Sequence, residues 1–382
     1  MAKKNTTTDS TPSISTRLKE RDARTSKKIL DLAEEMVKRI LGGDDPIIQI
    51  PTRAKSNTLW NKKRGILEMG SATAARPLFD LKTAKQFMQT MLHSNTISEL
   101  IAAGKTSSLR GVFYKAKHTV AGTRENTFDG QDESDPILED LEVALGALRE
   151  ELHVFAENRG SMVGNITIVD RGDEINCRKM GSGGYALPSI VEPDIIQFKK
   201  CEAKFILHVE KGTVWNRFNE DRFWEKHNCI LTHGAGQPPR GCRRLLQRMT
   251  EELKLPLICV LDCDPWGHYI YSVIKQGSIS LAFESSRLAI PQAKFLGIRA
   301  KDFRECNLDD AVKIDLTEND IKRAGEIAAY PWFEHHKGWQ REIGGLLKNG
   351  FKMEVESLIT KDISYVTDTY VPERLKARDW ID

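Results

Sequence analysis

The stretch Leu257-Ile258-Cys259-Val260-Leu261-Asp262-Cys263-Asp264-Pro265-Trp266-Gly267 limits the possible folds more than any other part of the chain. Five apolar residues run straight into two acids, a proline and a glycine. So short and uniform a run predicts a strand buried on both faces, as in a parallel sheet, ending where the backbone turns. Ligands of open α/β sheets gather at that carboxyl edge. Residues two apart on a strand share a face, so Asp262 and Asp264 are expected to project together. Carboxylates that close oppose each other's ionisation, and a divalent cation relieves the conflict. The competing reading is that these aspartates cap a turn or the next helix, a common use of Asp.

A second apolar run, Phe205-Ile206-Leu207-His208-Val209, predicts another strand, and it ends in Glu210-Lys211-Gly212. A third carboxylate at a second strand end could complete an oxygen-rich site for a hard cation. Glu at one strand end, then a basic helix, then strand-Asp-x-Asp-Pro-x-Gly resembles the Toprim domain of topoisomerases and primases.

With 382 residues the chain has room for two or three domains, and its hydrophobic share of 40% is ordinary for a water-soluble protein. Lys and Arg number 57 against 54 Asp and Glu, so a nucleic-acid surface must come from local clusters and not from the overall balance. No apolar run approaches a membrane span, and Met1-Ala2-Lys3-Lys4-Asn5 lacks a signal-peptide core, which predicts a cytoplasmic protein. The seven cysteines include no Cys-x-x-Cys pair, favouring reduced thiols over disulfides or a zinc site.

Met1 to Thr16 is polar and aperiodic and is expected to be disordered. From Ser26 an amphipathic helix through Ile29, Leu32, Met36 and Ile40 is closed by Gly42-Gly43, and Ile47 to Pro51 predicts a strand. This helix and strand serve either as ordinary packing or as a handle for another subunit. Asp80 can cap a helix through Leu92, Thr96 can start another, and a third is expected from Ser107 to His118. The third carries Arg110, Lys115, Lys117 and His118 but no acid. Three short helices with a basic last member resemble a winged-helix (CAP-like) unit whose final helix enters the DNA major groove. Tyr114 lies in that helix, one turn after Arg110. A phenol beside a guanidinium can attack phosphorus, since the cation favours phenolate and grips phosphate. Taken alone, a Tyr beside Phe113 equally suits a core position.

Thr127 to Asp135 reads as a turn or wing, and Pro136 as the start of a helix through Leu152. Ile166 to Asp170 reads as a strand. Gly181 to Gly184 reads as a loop, since it lacks the Lys-Ser/Thr of a P-loop. Trp215 to His227 reads as one helix. The glycine-containing loop His233 to Arg240 leads into a helix with Arg243, Arg244 and Arg248, which could bind phosphates in register or form a solvated basic face. Lys352 to Leu358 reads as a late structural helix.

Ser108-Leu109-Arg110-Gly111-Val112-Phe113-Tyr114, followed by the Toprim residues, resembles the family that unites the topoisomerase VI A subunit with its meiotic double-strand-break relative. The resemblance implies an α/β multidomain protein: residues 1–69 as a possible partner-contact segment, 70–158 as the winged-helix domain, and 159–382 as a Toprim-containing domain with a mostly parallel sheet and a core near 202–330. It implies that Tyr114 attacks a DNA phosphate to give a 5′-phosphotyrosyl link, with Arg110 clamping the phosphate. Glu210, Asp262 and Asp264 would hold Mg²⁺, or Glu210 would exchange a proton with the 3′-hydroxyl. Lys115, Lys117, Lys211, Arg240, Arg243 and Arg244 would touch double-stranded DNA. The family works as a homodimer joined to two ATPase B subunits, an A2B2 heterotetramer acting near the nucleoid. The alternatives are a Toprim nuclease or primase-like enzyme without a covalent intermediate, and a noncatalytic DNA-binding protein.

Overall fold

The computed structural model describes residues 14–382, with side chains from residue 16. The disorder expected for Met1 to Thr16 lies outside the described residues through position 13, and from Ile14 the chain is helical. It packs into two units, residues 14–52 with Ser71–Ala156, and Arg53–Gly70 with Glu157–Asp382. Among the described residues, no helix is long and apolar enough to cross a membrane.

In the first unit the helix Ile14–Gly42 starts well before Ser26. Its charged first turns lack an apolar stripe, but they are anchored by Asp22 pairing with the His153 ring at 3.0 Å. Gly43, at φ +80°, closes the helix with its own N–H on Ile40 O and that of Asp44 on Arg39 O. The strand Ile47–Pro51 pairs antiparallel with Thr73–Pro77. The helix pair expected around Thr96 is one helix, Ala84–Ala102. The hydroxyls of Thr90 and Ser94 bond back to carbonyls four residues earlier, at 2.7 and 2.9 Å, so the polar run gives no break. Gly104 ends it in a left-handed turn. Ser108 then caps the helix Leu109–Ala116 by accepting from Gly111 N at 3.0 Å.

A tight antiparallel turn joined at Thr119 and Asn126 lies upstream of the segment expected to form a wing. The next helix runs Gln131–Leu145, earlier at both ends than expected. Asp132 and Glu133 suit the positive end of its dipole, and left-handed Gly146 stops it before Leu148 and Leu152. Ile29, Ile97, Ile101, Val112, Leu138 and Leu141 form the core of this unit.

The second unit is built on a six-stranded sheet in the order Tyr185–Ala186, Ser161–Gly164, Ile230–His233, Ile206–Val209, Leu257–Val260, Lys294–Phe295. The last four strands are parallel, and Ser161–Gly164 is antiparallel to its neighbours. Every residue of Ile206–Val209 and Leu257–Val260 is buried, because successive side chains enter opposite cores. Ile206, Leu257 and Cys259 meet Leu245, Met249, Tyr271 and Trp339 on one face. Leu207, Val209, Ile258 and Val260 meet Trp215, Phe218 and Phe223 on the other. A separate antiparallel sheet orders Ile196–Cys201, Ile166–Asp170 and Asp173–Asn176. The hairpin of Thr58–Asn61 and Ile66–Met69, which carries no strong alternation in sequence, also belongs to this unit.

Two expectations change here. Trp215 to His227 is two helices, Gly212–Glu220 and Phe223–Lys226, broken by Arg222 at φ +51°. Lys352 to Leu358 is not one α-helix: it spans the end of a two-residue strand, Phe351–Lys352, and the start of a 3₁₀ helix, Val355–Thr360.

Candidate active site

The parallel strands Ile206–Val209 and Leu257–Val260 run in register, Val209 beside Val260, so Glu210 and Asp262 leave the same sheet edge. Glu210 Oε2 accepts from the Asp262 N–H at 3.2 Å. The strand stops at Val260 and the chain turns, so Asp262 and Asp264 do not project as an alternating pair. Cys263 bonds with Met353 through both backbone groups, at 2.9 and 3.1 Å, and this draws in the segment after Phe351–Lys352. Asp262 Oδ1 accepts from Val355 N at 2.8 Å, and its Oδ2 lies 2.8 Å from Lys211 Nζ. Asp264 caps the helix Pro265–Gln276 by accepting from Gly267 N, so the capping reading holds for that residue. Glycine is required there, since a Cβ at position 267 would meet the Asp262 carbonyl oxygen at 2.6 Å.

Burial raises the pKa of all three acids. For Glu210 the charges of Asp262 and Asp264 add to burial, and for Asp262 the Lys211 ammonium opposes it. Among the described residues, no three His, Cys, Asp or Glu side chains already enclose a metal position. The donor set nevertheless fits a hard divalent cation in kind and charge. Three carboxylates that burial desolvates follow the ends of two neighbouring strands, and Glu210 and Asp264 each use one oxygen in a hydrogen bond.

Lys211, expected on DNA, instead has its ammonium held by Asp262, by Glu354 at 2.9 Å and by Glu356 at 3.5 Å. Glu354 and Glu356 are the residues at this edge that the sequence did not reveal. Their only local signal is two acids flanking one apolar residue.

In the first unit, Tyr114 is 58% exposed while Phe113 is 6% exposed and packs on Phe128. The core position of this pair is therefore Phe113. Arg110 lies on the same outer face, its guanidinium 5.7 Å from the Tyr114 ring centre. Lys115 pairs with Glu99 at 2.8 Å, and Lys117 donates to the Asp129 carbonyl at 2.9 Å.

The arginines after the glycine loop do not form the free phosphate-binding face expected of them. Arg244 grips Glu192 through Nε and a terminal nitrogen at 2.9 and 3.0 Å, and Arg240 pairs with Glu284 at 2.9 Å. Arg243 is buried, which lowers its pKa to about 10. Arg248 is buried on the carbonyls of Val191 and Ile196. Acids contributed by distant segments draw the guanidinium groups of Arg240 and Arg244 inward.

Comparison with known proteins places these features in a family. Residues 205–375 match the Toprim domain of the topoisomerase 6 A subunit/Spo11 family, residues 85–154 match "Type IIB DNA topoisomerase", and residues 156–202 match "All-beta domain in DNA topoisomerase VI alpha subunit". The chain is 40% identical to the type 2 DNA topoisomerase 6 A subunit of Pyrococcus abyssi, over 92% of this chain and 93% of that one. It is 40% identical to the A subunit of the same enzyme from Hyperthermus butylicus, over 91% and 94%. It is 32% identical to the DNA topoisomerase 6 A3 subunit of Oryza sativa subsp. indica, over 94% of this chain and 79% of that one. Sheet and matches together define the class, a Toprim-containing type IIB DNA topoisomerase component. Within that class the chain belongs to the family of topoisomerase VI A subunits.

Proposed function

We propose that this chain cuts and reseals both strands of DNA with Tyr114 as nucleophile. The observation that carries this reading is Tyr114 itself, a solvent-facing phenol beside Arg110 on a helix whose other aromatic residue is buried. The Tyr114 oxygen forms a bond to a backbone phosphorus as the bond from phosphorus to the 3′ oxygen breaks. The 3′ oxygen takes up the proton that the phenol releases, directly or through Glu210. Because the new ester keeps the energy of the old one, the 3′-hydroxyl reseals the strand without a nucleotide. Arg110 holds the non-bridging oxygens of that phosphate. Residues 70–158 act as the winged-helix unit that lays the helix Leu109–Ala116 on DNA, with the turn at Thr119 and Asn126 as the wing.

Glu210, Asp262 and Asp264 hold Mg²⁺, which when bound supplies positive charge to the phosphate. Two copies are needed for a double-strand break, with the tyrosine of one serving the acidic site of the other. The relatives' designation as A subunits supports a partner B subunit, which would be the ATPase of an A2B2 assembly. The N-terminal helix offers it a surface, since Leu30, Val37 and Leu41 form an exposed outward stripe.

Incubating labelled DNA with the chain, its ATPase partner, Mg²⁺ and ATP, then denaturing, should leave protein attached to 5′ ends. Tyr114→Phe should remove that adduct and keep noncovalent DNA binding. Cleavage that yields only protein-free ends would instead identify a hydrolytic nuclease.

A further inference from the structure

We propose that Lys211 is a resident counter-ion of the acidic site, one that yields its place on Asp262 to a divalent metal and moves onto Glu354 and Glu356. This rests on the reading of Glu210, Asp262 and Asp264 as metal ligands.

Both oxygens of Asp262 are already engaged. Val355 N–H occupies Oδ1 at 2.8 Å and Lys211 Nζ occupies Oδ2 at 2.8 Å. A metal bound through Asp262 Oδ2 competes with the ammonium for that oxygen, since the backbone N–H on Oδ1 is fixed by the pairing of Cys263 with Met353. The ammonium already touches where it would go. Glu354 is 2.9 Å from it and Glu356 is 3.5 Å from it, and these two acids flank the residue that holds Asp262. Glu356 is positioned in advance by the Thr213 hydroxyl, which donates to its Oε1 at 2.8 Å. The side chains of Lys211, Glu354 and Glu356 are 28%, 50% and 30% exposed, so exchange needs no opening of the core.

Physically, an ammonium and a divalent ion compete for one buried carboxylate. Three carboxylates pair with the Lys211 ammonium and those of Glu210 and Asp264 feel its charge, so removing that charge leaves Asp262 without its neutralising partner. The metal then binds more tightly. Removing the charges of Glu354 and Glu356 has the opposite effect, because the ammonium loses its second position and stays on Asp262. Proximity of charge alone gives the same two signs, so the exchange is read from coupling: in a Lys211→Met background the pair Glu354→Gln, Glu356→Gln should no longer weaken binding, because no ammonium is left for those acids to receive, and an undiminished weakening there would overturn the exchange.

The test measures Mn²⁺ binding to the full chain without DNA, following the electron paramagnetic resonance signal of free Mn²⁺. Lys211→Met should tighten binding by about ten-fold, and the double variant Glu354→Gln, Glu356→Gln should weaken it by about ten-fold or more, as expected for one and two charges a few ångströms away. Lys211→Arg keeps the charge and should stay near wild type, which separates loss of charge from loss of fold. Shifts in the same direction, or no shift in either variant, would overturn the counter-ion role while leaving the metal site standing. Wild-type protein that fails to bind Mn²⁺ saturably, or binds it unchanged after Asp262→Asn, would overturn the metal-site reading and this inference with it.

Discussion

The helix Leu109–Ala116 leaves Tyr114 58% exposed with one charged neighbour, whereas the turn after Val260 buries Asp262 to 3% exposure and engages both of its oxygens. The two proposed halves of the cleavage chemistry are thus built oppositely. A nucleophile that must reach a large substrate gains from access and needs little local support. Carboxylates that concentrate charge must be desolvated and held, and the fold bears that cost through partners brought from far along the chain. Substitutions at the exposed half should therefore act on chemistry alone, while those at the buried half should act on stability as well.

The largest effect tests the exposed half. Tyr114→Phe should lower adduct formation by about 10³-fold or more, the loss expected for a covalent nucleophile, while leaving the melting temperature unchanged. A comparable fall in melting temperature would break the contrast. Next comes the buried half of the second unit, where Arg244→Ala should cost roughly 1–3 kcal/mol in denaturant unfolding because Glu192 loses a two-point partner in a half-buried setting. The salt dependence of DNA binding should stay the same, whereas a slope lower by about one would return Arg244 to a phosphate contact.

Smaller still is a pH effect. Burial and the neighbouring acids raise Glu210 above its ordinary value of 4.5, so the folded, metal-free chain keeps a proton that the unfolded chain has released. Stability should therefore fall as pH rises from 4.5 through neutrality. Glu210→Gln should flatten that slope in melts followed across pH, and an unchanged slope would assign it to other groups. The smallest effect belongs to Lys115→Ala, whose exposed, solvent-screened pair with Glu99 should leave the melting temperature unchanged. Any role of Lys115 would show in DNA affinity alone.

What the sequence revealed follows the same division. The strand Leu257–Val260 was legible because a short, wholly apolar run ending in Asp-x-Asp-Pro-x-Gly has few other solutions, and Tyr114 stood out through its basic helix. The surroundings of Asp262 were not legible. Val355 reaches it from 93 residues away, and no periodicity links the two segments. The ion pairs of the helix Arg240–Glu252 were not legible for the same reason, since its local run is basic while Glu192 sits 52 residues upstream of Arg244. The supposed break at Thr96 failed differently, because hydroxyls that favour caps can also bond back within a continuing helix.

The most direct measurement is to trap the protein–DNA adduct with denaturant, digest it with nuclease and protease, and identify by mass spectrometry the residue that carries the 5′ nucleotide. The account predicts a single modified peptide bearing the phosphoryl group on Tyr114. A nucleotide on any other tyrosine, or a complete break with none attached, would contradict it.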